Sequence, residues 1–349
     1  MTVRLRPASG SIGFAPLRRA RVLKAGRNLN PLQGFPGLHD SGAPGRNDMA
    51  GATTPMDTAQ RRRLASLSIG DVRVRLASSD HDFALEIPPS IMQFTCDGDD
   101  ADARIDVRAD VIAGSTASPL AFDSGGVWTL RRSADELVFE FRSPRFGAVP
   151  YKIARFRADF STGEVVLHRE YFPTARGFYP LEYPLDELLF TNLLSQRNGV
   201  ELHGCGVAYH DEGLLFLGFS GAGKSTLARL WRRHADATIL SDDRIILRVC
   251  GGRVMMHGTP WHGDEALVAK GPVALSRIFF LHQGPERAHP CAGSQAVAGM
   301  FARCFAPFHC ADAIAGTVAT LEQTVGLVPC ADLWFTPDDA AIDFIRACR

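Results

Sequence analysis

Residues 214–231 read LLFLGFSGAGKSTLARLW and carry the most informative pattern in the chain. The four apolar residues 214–217 predict a buried strand, and a glycine-rich segment follows at once. Leu227, Leu230 and Trp231 recur at helical spacing and predict a helix from residue 225 to about residue 234. This order of strand, glycine-rich segment and helix indicates an α/β domain.

The glycine-rich segment, residues 218–225, matches the pattern GxxxxGK[ST] and predicts a phosphate-binding loop. Lys224 is expected to place its ammonium on the β- and γ-phosphates, and Ser225 to offer its hydroxyl to Mg²⁺. The expected cofactors are therefore ATP and Mg²⁺. The expected nucleotide-binding residues are Gly218, Phe219, Ser220, Gly221, Ala222, Gly223, Lys224, Ser225 and Thr226. The alternative is a glycine-rich connection that binds nothing.

Two neighbouring acids follow the next predicted strand. Residues 237–240 read ATIL and lead into Ser241, Asp242 and Asp243, so that Asp242 lies eighteen residues after Lys224. A carboxylate at the carboxyl end of a strand beside a phosphate loop is placed to hold magnesium. Because there are two carboxylates, one can serve the metal while the other accepts a proton from an incoming hydroxyl. The alternative is that one of them caps a turn before the predicted strand 245–249.

Histidines mark two further candidate segments. His203 follows the strand-like residues 200–202 and lies fifteen residues before Gly218, so it is either an active-site group or a structural hydrogen bonder. The second segment, residues 257–265, contains His257, His262, Asp264 and Glu265. It predicts either a contact to metal or acceptor, or a polar turn in which Trp261 packs.

The chain divides into three parts by pattern. Residues 1–60 carry eight Lys and Arg against three Asp and are rich in Pro and Gly. They predict a disordered tail, a transit peptide, or a stretch upstream of a true start at Met49 or Met56. Period-two alternation, as at residues 105–111 and 137–141, predicts a mostly antiparallel β module over 61–180. Residues 181–349 predict the α/β domain, with a helix that begins near the N-cap Asp186 and a last helix capped by Thr336.

The overall composition favours a cytoplasmic protein. Lys and Arg number 38, as do Asp and Glu, so the whole chain presents no net field for nucleic acid or a membrane surface. Eight cysteines without a CxxC pair argue against a zinc site or a disulfide framework. The longest apolar runs are far shorter than the roughly 20 residues of a spanning helix. The oligomeric state is left open, with a homo-oligomer among the options.

The motifs at 203–204, 218–225 and 241–243 together resemble the catalytic domain of bacterial HPr kinase/phosphorylase, over about residues 198–260. The resemblance implies a phosphate-loop serine kinase in which Asp243 is the base toward the acceptor and Asp242 is left to the metal. It also implies that Lys224 holds the phosphates and that His203 belongs to the active site. The family's additional magnesium-binding glutamate and its C-terminal phosphorylase signature have no evident counterpart in this sequence.

Residues 180–349 also resemble the HPr-kinase-related proteins of lasso-peptide and other modified-peptide biosynthesis. The shared segments are YPLDEL at 183–188, LHGCGV at 202–207, GFSGAGKSTLARL at 218–230, HGTPWHGDE at 257–265, IFFL at 278–281 and FTPD at 335–338. This resemblance implies a peptide or protein phosphoacceptor, such as a ribosomal precursor peptide. Two alternatives stay open: an ATP-binding scaffold or assembly protein without phosphotransfer, and a small-molecule kinase.

Overall fold

The computed structural model describes residues 63–172, 177–261, 263 and 267–348 of the 349-residue chain. The predicted tail at 1–60 lies outside the described residues, as do His262, Asp264 and Glu265 of the second polar segment. The described residues form a mixed α/β structure with two eight-stranded sheets.

The first sheet contains the strands of the predicted β module. These are β1 (Leu64–Ile69), β2 (Val72–Ser78), β3 (Ala103–Asp110), β4 (Leu120–Asp123), β5 (Trp128–Arg132), β6 (Glu136–Phe141), β7 (Lys152–Arg157) and β8 (Thr162–His168), with the short helix α1 (Pro89–Met92) after β2. Their order is β1-β2-β3-β8-β7-β6-β5-β4. Only the β2–β3 and β3–β8 pairings are parallel, so this sheet is mostly antiparallel.

The period-two alternation identifies the buried face of β3 but not its end. Ile105, Val107 and Ala109 are buried, as the alternation predicts. Val111 was expected to continue this face, and that expectation is wrong: β3 ends at Asp110 and the Val111 side chain is 64% exposed. The Asp110 carboxylate accepts a hydrogen bond from the Val111 amide, which turns the chain out of the sheet.

The second sheet belongs to the C-terminal half. Its elements are α2 (Leu185–Ser195), β9 (Gly199–Tyr209), β10 (Glu212–Leu217), α3 (Lys224–Trp231), β11 (Ala237–Ser241), β12 (Arg244–Cys250), β13 (Arg253–Gly258), β14 (Val273–Gln283), β15 (Arg287–Cys291), α4 (Gly293–Phe301), α5 (Ala311–Leu327), β16 (Cys330–Phe335) and α6 (Ala340–Ala347). The strand order is β10-β9-β12-β13-β14-β16-β15, with β11 paired to β9. Because β10 also pairs with β14, strands β9, β12, β13, β14 and β10 close into a ring.

Both faces of the second sheet are covered by helices. Along β10, Leu215 and Leu217 join a core that also contains residues of α4 and α5. Phe216, between them, joins a separate core with residues of α3 and α6. Burial on both faces explains why β10 reads as a continuous apolar run rather than an alternating one.

Three expected positions in this half are wrong. Asp186 was expected to be the N-cap of α2, but the cap position is Pro184 and Asp186 lies buried in the first turn. Thr336 was expected to cap the last helix, but Glu286 accepts hydrogen bonds from its amide and hydroxyl, and α6 begins only at Ala340. His203 was expected at a strand end and instead lies in the middle of β9, because pairing with β10 and β11 extends the strand past Gly204 to Tyr209.

The two sheets contact each other through the turn between β1 and β2. Arg248 of β12 donates a hydrogen bond from Nη1 to the carbonyl oxygen of Gly70 over 2.7 Å. A Cβ atom on Gly70 would lie 2.7 Å from Cγ2 of Ile246, so a glycine is needed for this approach. The expected domain boundary near residue 180 falls between β8 and α2, and the separate folding of the two parts stays a prediction.

Gly258→Ala is expected to destabilise the protein. Gly258 ends β13 so close to its neighbours that a Cβ atom would lie 1.9 Å from the carbonyl oxygen of Ala269 and 2.5 Å from that of Leu240. Backbone must move to relieve such contacts, at a cost of about 1–3 kcal/mol or more. Urea unfolding measures the loss. Gly326→Ala is the matched control, because Gly326 has open space around it in α5 and gains up to about 1 kcal/mol of helix propensity. Equal stability of the two variants would refute the close contact at Gly258.

Candidate functional site

Strand β9 aligns the glycine-rich loop with the two acids. It pairs with β10, β11 and β12. Gly204 of β9 is opposite Leu217, the residue before the loop, and its amide donates to the Asp243 carbonyl over 2.9 Å. A Cβ atom on Gly204 would lie 2.8 Å from Cδ2 of Leu217 and 3.1 Å from the Phe216 carbonyl oxygen. Gly204 therefore allows β10, which leads into the loop, and the segment with the two acids to lie against the same short stretch of β9.

The glycine-rich loop joins β10 to α3 through backbone conformations that favour glycine. Gly221 and Gly223 have φ angles of +82° and +106°. A Cβ atom on Gly223 would also lie 2.7 Å from Cζ of Phe335. Gln283 donates a hydrogen bond to the Gly221 carbonyl over 2.9 Å, which holds the loop from the side of β14. With Gly223 as the N-cap residue, the first free amides of α3 lie at the end of the loop, where they can receive an anion.

Lys224 folds back into this loop. Its side chain is buried, and Nζ donates to the carbonyl oxygens of Gly218 over 2.9 Å and Phe219 over 3.3 Å. Burial lowers the pKa of Lys224, while the nearby carboxylate of Asp243 acts in the opposite direction. Two carbonyl oxygens thus hold the ammonium inside the loop. Ser225 and Thr226, the next two residues, are partly exposed in the first turn of α3.

The two acids after β11 have different surroundings. Asp243 is partly exposed, and its Oδ1 lies 3.1 Å from Nε2 of His203. Its Oδ2 lies 3.4 Å from Nε of Arg244. Asp242 is buried, and its Oδ1 accepts a hydrogen bond from the Gly263 amide over 3.0 Å. The structure thus brings His203 and Asp243 together, with Asp243 the more accessible of the two carboxylates.

Ser225 and Asp242 fit Mg²⁺ only if the nucleotide supplies further ligands. Mg²⁺ is usually held by one or two protein oxygens together with phosphate oxygens and waters. Among residues 63–172, 177–261, 263 and 267–348, no group of three His, Cys, Asp or Glu side chains could hold a metal ion. A hydroxyl and a single carboxylate beside the glycine-rich loop would suit a metal shared with a bound nucleotide, rather than a site made of protein ligands alone.

An acid and base network behind Asp243 was missed in the sequence. Arg244 forms an ion pair with Glu187, lies 3.7 Å from Oε1 of Glu201, and stacks 4.4 Å above the ring of Phe305. Glu201 is fully buried in β9, and burial together with the charges of Asp186 and Asp243 raises its pKa well above the usual range. The available signal was a charged residue at position 201 between the apolar residues Val200 and Leu202.

In the described part of the second polar segment, Gly263 lies against the two acids: a Cβ atom on it would lie 2.9 Å from Oδ2 of Asp242 and 3.3 Å from Cβ of Asp243. His257 and Trp261 have other partners. The ring of His257 lies 3.6 Å from Oδ2 of Asp71, in the turn between β1 and β2. Trp261 packs against Phe190 and donates from Nε1 to Oδ2 of Asp186 over 2.8 Å. Trp261 is therefore anchored to α2, as the turn alternative expected. A metal or acceptor contact by this segment stays a prediction.

Asp186→Asn is expected to remove a pH dependence of stability. Burial raises the pKa of Asp186 to about 7. The folded chain then holds one more proton than the unfolded chain between about pH 4 and pH 7, so wild-type stability falls as pH rises through this window. The variant does not titrate there. Its stability relative to wild type should therefore improve by about 2–3 kcal/mol from pH 5 to pH 7. Urea unfolding over pH 5–8 measures the difference in free energy of unfolding between Asp186→Asn and wild type, with exposed Asp236→Asn as control. A difference that stays constant over this pH range would contradict the prediction.

Comparison with known proteins leaves the family open. No family model matches the sequence, and no curated protein matches it. Among solved structures, the HPr(Ser) kinase/phosphatase from Coxiella burnetii aligns with 42% of this chain and 94% of that chain, at 11% identity and a TM-score of 0.25. A likeness at this level assigns neither a family nor an activity. Among the described residues, no helix is long and apolar enough to cross a membrane.

Proposed function

We propose that this protein is an ATP- and Mg²⁺-dependent phosphotransferase that moves the γ-phosphoryl group to a serine hydroxyl of a peptide or protein. A ribosomal precursor peptide is the proposed acceptor. The observation that carries the proposal is the pair formed by Asp243 and His203, 3.1 Å apart and both partly exposed, beside the loop that contains Lys224. Nucleotide binding alone does not require a second, accessible carboxylate at this position, whereas transfer to a hydroxyl requires a group that accepts its proton.

The loop and the start of α3 would bind the phosphates. The amides of the glycine-rich loop and of the α3 N-terminus present donors to phosphate oxygens. Lys224 would exchange its two loop carbonyl partners for oxygens of the β- and γ-phosphates. Ser225 and Asp242 would hold Mg²⁺, which supplies charge neutralisation between the phosphates when it is bound.

Asp243 would act on the acceptor. The serine oxygen forms a bond to the γ-phosphorus while the bond from that phosphorus to the β–γ bridging oxygen breaks, and the electron pair leaves with ADP. The hydroxyl proton goes to a carboxylate oxygen of Asp243. His203 would orient this carboxylate through the contact between Nε2 and Oδ1, which leaves Oδ2 to face the acceptor or Arg244.

Transfer of label from γ-labelled ATP to serine-containing peptides tests the proposal. Candidate acceptors come from the neighbouring genes, and each is paired with a variant in which serine is replaced by alanine. The proposal expects label on the serine peptide only, in the presence of Mg²⁺. ATP binding with no transfer to any peptide or protein would favour a scaffold, and transfer to a small alcohol alone would favour a small-molecule kinase.

A further inference from the structure

Arg303 lies on a segment that borders the candidate site. After α4 ends, residues 303–305 run antiparallel to β9, with Cys304 opposite Leu202. The His203 amide donates to the Arg303 carbonyl over 2.7 Å, and the Phe305 amide donates to the Glu201 carbonyl over 2.9 Å. The backbone of Arg303 is therefore fixed directly beside that of His203, although the two residues are 100 positions apart in the sequence.

The Arg303 side chain reaches the glycine-rich loop. Its guanidinium lies 4.1 Å from the ring centre of Phe219, the second residue of the loop. Nη1 donates to the Gly299 carbonyl over 2.7 Å, which anchors one edge of the group to α4. Nε is buried and has no hydrogen-bond acceptor among the residues that the structure describes. Since a guanidinium carries five N–H donors, this position leaves donor capacity at the loop for another partner.

The charges around the loop favour an anion as that partner. Burial is the main cause that lowers the pKa of Lys224, and the positive charge of Arg303 lowers it further. The two cations therefore repel each other across the loop. Asp332 lies near enough to Arg303 to oppose this effect, but its Oδ1 already contacts Nε2 of His282 at 2.7 Å. A group with several negative oxygens between Lys224 and Arg303 would relieve the repulsion.

We propose that Arg303 is a catalytic residue whose guanidinium binds non-bridging oxygens of the transferred phosphoryl group. This inference rests on the proposed function. In the transfer step, the serine oxygen bonds to the γ-phosphorus, ADP leaves with the electron pair of the broken bond, and Asp243 takes the proton. Negative charge is spread over the three equatorial oxygens in that step. A planar guanidinium can contact two of them at once, which an ammonium cannot do.

Arg303→Gln and Arg303→Lys test this role through the affinities for ATP and ADP and through the transfer rate. We expect Arg303→Gln to lower the rate constant at saturating ATP by about 10²-fold or more. The Kd for ATP should rise about tenfold more than the Kd for ADP, because only ATP carries the γ-phosphate. Arg303→Lys should recover part of the rate, since it keeps the charge but loses the two-point contact.

Arg346→Gln is the matched control. Arg346 also stacks over an aromatic ring, that of Tyr209, but it lies in α6 and is exposed. Arg346→Gln should show the wild-type Kd values for ATP and ADP and the wild-type transfer rate. If Arg303 only supported the ring of Phe219, Arg303→Gln would raise the Kd for ATP and the Kd for ADP by the same factor. It would also leave the transfer rate at saturating ATP within threefold of wild type. Either result overturns the proposal.

The same measurements separate this inference from the proposed function. If wild type binds ATP more tightly than ADP but phosphorylates no acceptor, the proposed function fails. If Arg303→Gln then binds ATP and ADP equally well, the contact between Arg303 and the γ-phosphate is still supported. If Arg303→Gln keeps the preference for ATP, that contact is overturned. If wild type binds neither nucleotide, both proposals are wrong. Urea unfolding of each variant shows whether a lost affinity reflects a lost fold.

Discussion

Lys224→Met is expected to abolish detectable phosphotransfer and to weaken ATP binding by at least about tenfold. A hydrogen bond to a charged group is worth about 1.5–3 kcal/mol, and a factor of ten in Kd corresponds to about 1.4 kcal/mol. The loss in the transfer step should be larger, about 10³-fold, because the charge on the phosphoryl oxygens grows there. Calorimetry with ATP and a labelled-transfer assay measure the two effects.

The fold should survive this substitution. Lys224 is buried and bonds only two loop carbonyls through Nζ in the described structure, and a methionine of similar length fits the same space without an ammonium to desolvate. Lys270→Met is the matched control, because Lys270 is exposed. ATP affinity of Lys224→Met equal to that of Lys270→Met would show that the loop does not bind phosphates through this lysine.

Asp243→Asn is expected to reduce the transfer rate by about 10²–10⁴-fold while the Kd for ATP stays within threefold of wild type. General-base catalysis by a placed carboxylate contributes about this factor. The asparagine keeps the size of the side chain and an oxygen that can accept from His203, but it cannot take a proton. A rate measured at saturating ATP and acceptor separates this effect from binding.

Asp236→Asn serves as the control for Asp243→Asn, since Asp236 is exposed between α3 and β11. It should transfer phosphate at the wild-type rate. An Asp243→Asn variant that also transfers at that rate would remove Asp243 from the chemistry. A loss of ATP affinity in Asp243→Asn equal to its loss of rate would indicate a role in nucleotide binding instead.

Local patterns in the sequence were enough to predict several elements. The apolar run at 214–217 predicted β10, and the spacing of Leu227, Leu230 and Trp231 predicted α3, because each pattern lies within one element. The alternation at 105–109 predicted β3 for the same reason. Lys224 and Asp243 follow the carboxyl ends of β10 and β11, as the sequence predicted, but these strands are not neighbours: each pairs with β9, which runs antiparallel between them.

Long-range pairing decided what the sequence could not predict. The parallel pairing of β10 with β14, which closes the ring of strands, joins residues about sixty positions apart. No local sequence pattern predicts this pairing. His203 was placed at a strand end because the pairing of the second half of β9 with β10 and β11 is not visible in residues 199–209 alone. Arg303 reaches the loop only because residues 303–305 add to β9. Asp186 looked like a cap, and its burial against Trp261 depends on a segment 75 residues away.

In the proposed mechanism, the loop, Asp243 and His203 form one site that moves a phosphoryl group to serine. A single-turnover reaction with γ-labelled ATP, Mg²⁺ and a serine-containing acceptor peptide tests it most directly, with wild type and Asp243→Asn compared at equal ATP occupancy. We expect label to appear on the serine with wild type and to be reduced by at least about 10²-fold with Asp243→Asn. Label that stays on ATP with wild type at full occupancy, or that reaches the serine equally fast with both proteins, would contradict it.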